Sequence, residues 1–397
     1  MIRPPRNPFR PGVGLQPEYL AGRDAPIAQF RRVLEGTPDI PGNARITGLR
    51  GVGKTVLLKR LQEVAEEMGF ATIATELEPR HCDEVTFHAL LTRQATELAK
   101  RLSTMERVRQ AAAEAVNALR RMATVTFEGF EWSLAGDLDR ATHDVAALLL
   151  EVTEAALKAE KRGLVLFFDE AQVLVDDKSA TGSHPLSSLI AAVSTLQKQG
   201  VPISLVLCGL PTLAVNLLSA RTYSERMFRG FKVDSLGFED ASKAFTEPLA
   251  SAGTITADPD LVTRVVSDVE GYPYFIQLWG AELWDAANDA GTPQINVAVL
   301  DAIEDRIHER LDLDFYEPRV ESLTPAEQDL LLASAQCTYP PLAVAELNDA
   351  STKSNDNVNV LLGRLVKANV LYRPRKGQYL YTAPKFREYL QRRTEQA

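Results

Sequence analysis

The chain has 397 residues, 45% of them hydrophobic and 24% charged, an ordinary soluble composition long enough for two or three domains with cores of their own. No apolar run approaches the roughly 18–20 residues that a membrane span needs, which argues against a membrane protein. The net charge of −9 argues against a surface that coats nucleic acid along its whole extent.

The charge is unevenly spread. Between Lys353 and Ala397 stand ten Lys and Arg against three acids, Asp356, Glu388 and Glu395, so this stretch carries +7 and the rest about −16. Cys82, Cys208 and Cys337 are far apart and match no C-x-x-C spacing. They predict neither a disulfide framework nor a zinc site and fit a reducing cytoplasm. The five histidines, His81, His88, His143, His184 and His308, show no ligand spacing either. The N-terminus MIRPPRNPFRPG lacks an apolar core and does not read as a secretory signal.

In chain order, residues 1–20 are rich in proline and predict an extended arm. APIAQFRRVLEG reads as a helix, ARIT (Ala44 to Thr47) as a strand, VLLKRLQEVAEEMG as an amphipathic helix and FATIATEL as the next strand. Strand, helix and strand at this spacing predict a βαβ unit and a parallel sheet. Residues 83–160 read as a helical insertion, broken by a hairpin near Ala123 to Gly136. LVLFF (Leu164 to Phe168) and PISLVLCG (Pro202 to Gly209) are continuous apolar runs, as expected of strands covered by helices on both faces. FKVDSL (Phe231 to Leu236) reads as the last strand, followed by a helical lid over 237–315.

Residues 322–397 read as three helices, a hairpin (VLYRP, a turn at RKG, QYLYT) and a closing helix. Thr324 as N-cap with Pro325 and Glu327 forms a capping box at the start of the first helix. With the glycine-rich GLRGVGKT between the first strand and its helix, the fold class expected is α/β: a P-loop domain over 21–236 with a parallel sheet flanked by helices, the lid, and a winged helix over 322–397.

GLRGVGKT, Gly48 to Thr55, fits G-x-x-x-x-G-K-[ST] at every fixed position, between a strand and a helix. The chemistry asks for each part. Gly48, Gly51 and Gly53 let successive backbone N–H groups turn inward around phosphate oxygens, and the helix N-terminus adds partial positive charge. Lys54 supplies a full charge to the β- and γ-phosphates, and the Thr55 hydroxyl ligates Mg²⁺. Gly48, Gly51, Val52, Gly53, Lys54, Thr55 and Val56 are thus the residues expected against a nucleotide. The apolar strand LVLFF ends in Asp169-Glu170. There Asp169 is expected to hold hydrated Mg²⁺ and Glu170 to polarise the attacking water. No N-K-x-D stretch for guanine occurs, which favours ATP over GTP.

With these motifs in place the chain resembles the AAA+ ATPases of the initiator (origin-recognition-like) and STAND type, including bacterial "archaeal-type" ATPases with a C-terminal winged helix. The resemblance implies further roles. LAGRDAPIAQF looks like the box that opens such domains beside the adenine, which makes Gly22 and Arg23 nucleotide-side residues. GYPYFIQLWGAELW is similar to the G-x-P stretch of the lid, with Pro273 facing the nucleotide and with Tyr272 and Tyr274 where relatives place a sensor arginine. Cys208 falls where many relatives carry Asn or Thr against the γ-phosphate, with Thr212 close by. A thiol is a poor donor, so slow hydrolysis is expected. Arg226, or failing it Arg221, falls where a finger arginine reaches a neighbouring subunit, which implies a homo-oligomer.

LGRLVKANVLY matches the third-helix-into-wing register of a winged helix. Arg373, Arg375 and Lys376 on the wing suit phosphate contacts, and Lys353, Asn355, Asn357, Asn359, Arg364 and Lys367 lie on or beside the third helix. DNA and a protein partner remain equally open for this module. The function expected is a slowly hydrolysing ATP switch coupled either to DNA binding or to STAND-type signalling or defence.

Overall fold

The computed structural model describes residues 6–12, 14–103, 138–179, 182–351 and 354–396. The hairpin expected near 123–136 lies outside these residues. The chain divides into two compact units, one of Arg23–Leu49 and Gly53–Asp234, the other of Met1–Gly22, Arg50–Val52 and Ser235–Ala397.

The first of these is a three-layer α/β unit. Its chain order is α1 (Asp24–Glu35), β1 (Asn43–Thr47), α2 (Lys54–Glu67), β2 (Ala71–Glu76), α3 (Glu84–Ser103) and α4 (Leu138–Lys158). There follow β3 (Leu164–Asp169), α5 (Pro185–Lys198), β4 (Ile203–Gly209), α6 (Thr212–Ala220), α7 (Ser224–Met227) and β5 (Phe228–Lys232). The five strands are parallel, in the order β2-β3-β4-β1-β5. Every residue of β3 and β4 is buried, which is why both read as unbroken apolar runs.

The last strand lies earlier than FKVDSL predicts. Phe228 and Phe231, three apart and so on opposite faces, are the buried residues of β5, while Arg229, Gly230 and Lys232 are exposed; β5 is an edge strand of the sheet. The described helices of 83–160 also pack in the main core. Phe87, Leu90, Leu91 and Leu98 of α3 and Leu149 and Val152 of α4 share one apolar cluster with Ile73, Leu166 and Phe168 of the sheet. The Phe87 and Phe168 rings lie 5.9 Å apart.

The second unit holds α8 (Phe238–Ala252), α9 (Pro259–Asp268), α10 (Pro273–Ala290) and α11 (Val297–Leu311), with β6 (Thr256–Ala257) paired to β7 (Gln294–Ile295). A π turn, Asp312–Tyr316, then leads into α12 (Glu317–Glu321). After it come α13 (Pro325–Ser334), β8 (Leu342–Ala343), α14 (Val344–Ala350), α15 (Asn355–Lys367), β9 (Leu371–Arg375), β10 (Gln378–Tyr381) and α16 (Phe386–Gln396). The expected capping box at Thr324 and Glu327 is present, and β9 and β10 form an antiparallel pair with β8 beside β10.

The helices of 237–311 and the elements after 325 are joined by side chains rather than by a bare linker. The wider π turn buries both Phe315 and Tyr316. Tyr316 stacks on Phe386 and Tyr389 at 5.3 and 4.9 Å, and Arg392 binds both oxygens of Asp312 at 2.6 and 2.8 Å. The proline-rich arm also belongs here. Phe9 lies 5.5 Å from Phe245, and the Arg10 N–H donates to Gln277. Gly280 makes room for the arm, since a Cβ there would stand 2.4 Å from the Phe9 ring. No helix among the described residues is long and apolar enough to cross a membrane.

Candidate nucleotide site

In the α/β unit, β1 runs straight toward the glycine-rich loop, and α2 begins at Lys54 with Gly53 as its N-cap. Gly53 holds φ +88° and Gly51 φ +77°, conformations that side chains with a Cβ rarely adopt. A Cβ on Gly53 would meet nothing within 4 Å, so it is the backbone conformation and not space that calls for glycine there. Lys54 is only 6% exposed, and its ammonium donates to the Leu49 carbonyl at 2.8 Å. The side chain therefore folds back over the loop.

The acidic strand end meets the loop directly. The Thr55 hydroxyl donates to Asp169 Oδ2 at 2.6 Å, while Asp169 Oδ1 accepts the Glu170 N–H at 2.8 Å. One hydroxyl and one carboxylate make an all-oxygen pair, the donor chemistry that suits Mg²⁺, with its other positions left to water and phosphate. Glu170 takes a left-handed backbone, φ +52° and ψ 32°, a conformation that costs on the order of 1–3 kcal/mol for a residue with a Cβ and clusters at functional sites.

Cys208, on β4, is fully buried beside Asp169. Burial first, and the neighbouring carboxylate second, push its thiol well above the ordinary range, so it stays protonated.

Other expected residues fall as follows. Arg23 is buried and donates to the Asp234 carbonyl just after β5. Thr212 opens α6. Arg226 is exposed on α7, and Arg221, half-buried, follows α6. Val52 is buried and Val56 half-buried.

Within the second unit, Pro273 stands half-buried at the first position of α10. Its neighbour Tyr272 is the residue whose hydroxyl reaches the Arg50 carbonyl, and a Cβ on Gly51 would collide with that phenol. Burial raises the Tyr272 pKa, which keeps its hydroxyl a donor.

In the C-terminal elements some basic residues are engaged and others are exposed. Arg387 donates to the Ala335 and Cys337 carbonyls, Arg392 pairs with Asp312, and Arg393 donates to the Tyr389 hydroxyl. Arg364, Lys367, Arg373, Arg375 and Lys376 are exposed. The outward face of α15 also carries Val360, 55% exposed. Lys353 lies outside the described residues. Gln172, which no motif singles out, donates from its amide to the Glu170 carboxylate.

Residues 19–206 match the family described as AAA ATPase domain, and residues 313–390 match a domain of unknown function, DUF8462. A comparison of the sequence with curated proteins gives no match. Among solved structures, the chain is similar to the ORC2 protein of Aeropyrum pernix in its ADPNP–ADP complexes, at 14% identity over 97% of each chain and a TM-score of 0.57. It is also similar to the Walker-type ATPase PABY2304 of Pyrococcus abyssi, at 14% identity over 96% of this chain and 98% of that one, with a TM-score of 0.50. At such identities the likeness concerns the fold alone: the chain has the fold of a AAA+ P-loop ATPase, and its segment 19–206 is similar in sequence to that ATPase domain.

Proposed function

We propose that the protein binds Mg·ATP through Gly48 to Thr55, hydrolyses it slowly with Glu170 as general base, and passes the nucleotide state to a C-terminal winged helix. The observation that carries this reading is the 2.6 Å hydrogen bond from Thr55 to Asp169, which joins two motifs 114 residues apart into one oxygen-donor pair. Thr55 and Asp169 are the residues that would hold Mg²⁺, which supplies charge neutralisation at the phosphates. Lys54 exchanges the Leu49 carbonyl for phosphate oxygens, and the loop N–H groups of Gly51 to Val56 orient the chain of phosphates. Glu170 takes a proton from the attacking water. The protonated Cys208 thiol is a weak donor, in keeping with slow turnover. Arg226, exposed on its short helix, is the side chain proposed to enter the site of a neighbouring copy.

The test is phosphate release from ATP with Mg²⁺ and with the metal chelated. Mg²⁺-dependent release is expected; no release under either condition would remove hydrolysis from the reading.

For the C-terminal elements, two readings stand on separate observations. Exposed Arg373, Arg375 and Lys376 on the β9–β10 hairpin, with Arg364 and Lys367 on α15, favour contact with DNA phosphates. The inward engagement of Arg387, Arg392 and Arg393, and the exposed Val360 on the helix that would enter a groove, favour a protein partner, as in a STAND-type signalling or defence ATPase.

A further inference from the structure

The carboxylate of Glu170 already has a partner. Gln172 Nε2 donates to Glu170 Oε2, and the other end of the same amide is engaged too. Gln172 Oε1 accepts the backbone N–H of Leu210, the first residue after β4, at 2.9 Å. The backbone beneath is pinned from α6, where Asn216 Nδ2 donates to the Gln172 carbonyl at 3.0 Å. The amide occupies space that exists because residue 209 is glycine: a Cβ there would lie 2.4 Å from Gln172 Oε1. Only one orientation of the amide serves both contacts, because the carboxylate needs a donor and the Leu210 N–H needs an acceptor.

We propose that Gln172 is a positioning residue for the hydrolytic step, holding one oxygen of Glu170 so that the other is presented to the attacking water, and taking its own position from the end of β4. This rests on the reading of Glu170 as the base. A glutamate has three rotatable side-chain bonds, and its reach to a water is productive in few of their combinations. Fixing Oε2 removes most of that freedom while leaving Oε1 able to accept a proton. The left-handed backbone of Glu170 brings the two side chains together, since it closes the turn Ala171–Val173 directly after the strand. Because the amide is anchored to the N–H of Leu210, a shift of the β4 end next to Cys208 moves the base as well. All these groups belong to the α/β unit.

The test compares full-length wild type with Gln172→Met, Gln172→Ala, Gly209→Ala, the Gly209→Ala/Gln172→Ala pair and Glu170→Gln. It reads single-turnover hydrolysis of labelled ATP at saturating Mg·ATP, Kd for ATP, and Tm. A base misplaced by about 1 Å loses on the order of a hundredfold in rate. The Gln172 variants should therefore turn over about 10- to 100-fold more slowly, with Kd within about twofold of wild type. Gly209→Ala should fall in the same range, and the pair should be no slower than its slower member, because both changes break one contact. A merely structural tie between the turn and β4 predicts a lower Tm with an unchanged rate per folded molecule, and that result overturns the proposal. Wild-type turnover in Gln172→Met and Gln172→Ala, with Glu170→Gln inactive, overturns this inference and leaves the base in place. Wild-type turnover in Glu170→Gln, or none in the wild type, overturns the reading of the base and this inference with it.

Discussion

Replacing Lys54 by Met tests the phosphate cradle at its buried positive charge. The side chain is 6% exposed, and its ammonium donates to the Leu49 carbonyl at 2.8 Å. A nucleotide would exchange the Leu49 bond for two to phosphate oxygens. With bonds to charged groups contributing roughly 1.5–3 kcal/mol each, the net gain of one such bond favours binding by about 1.5–3 kcal/mol. Lys54→Met should therefore weaken ATP and ADP at least about tenfold while leaving adenosine unaffected. Thermal shift reads this without requiring turnover. At ATP about 100 times the wild-type Kd, the wild type gains about 2.7 kcal/mol of stability. A variant weakened tenfold gains about 1.4 kcal/mol, and one weakened a hundredfold about 0.4. Without nucleotide the variant loses the charge-assisted bond to Leu49, roughly 1.5–3 kcal/mol, a change of about 3–12 °C in Tm for a unit of this size. An ATP-induced shift equal to that of the wild type would refute the reasoning.

Three further outcomes are expected. If Arg226 reaches a neighbouring copy, ATPase activity per subunit rises with protein concentration and Arg226→Ala removes that rise; a rate flat on dilution in the wild type would sink the idea. DNA binding through the five exposed cations on α15 and the hairpin would lose affinity with salt at a logarithmic slope no steeper than about −4.5, and Ala at Arg373, Arg375 and Lys376 would flatten it by about 2.7; no binding at low salt would favour the protein partner. Glu327→Ala should cost about 1 kcal/mol at neutral pH through loss of the capping box. The Thr324 N–H holds the Glu327 carboxyl below its ordinary range, so the folded pKa lies under the unfolded one. This contribution is therefore full above the unfolded pKa and fades as pH falls through the folded pKa, and denaturant midpoints of the two proteins should converge in acid.

The strands β3 and β4 and the glycine-rich loop were legible because the signals are local: fully buried parallel strands are continuous apolar runs, and the loop's glycines and lysine lie within eight residues. β5 was read too late because only Phe228 and Phe231 of its five residues are covered, so its apolar pattern hardly differs from that of the segment after it. Phe87 and Val152 lie in one core cluster through contacts that sequence spacing does not reveal. Counting charge overstated the free basic surface, since Arg387, Arg392 and Arg393 turn inward to carbonyls, Asp312 and Tyr389. Tyr316 and Asp312 contact residues about 70–80 positions later, a separation over which spacing carries no signal. Gln172 was invisible for a similar reason: the Leu210 N–H that orients it is 38 residues away.

The central claim is that Asp169-Glu170 turns a nucleotide-binding loop into a hydrolytic site. The most direct measurement is single-turnover phosphate release by wild type and Glu170→Gln, both saturated with Mg·ATP at equal Kd. A general base contributes on the order of 10²–10⁴-fold, so wild type should release phosphate at least about a hundredfold faster. Equal rates at equal occupancy would contradict the account.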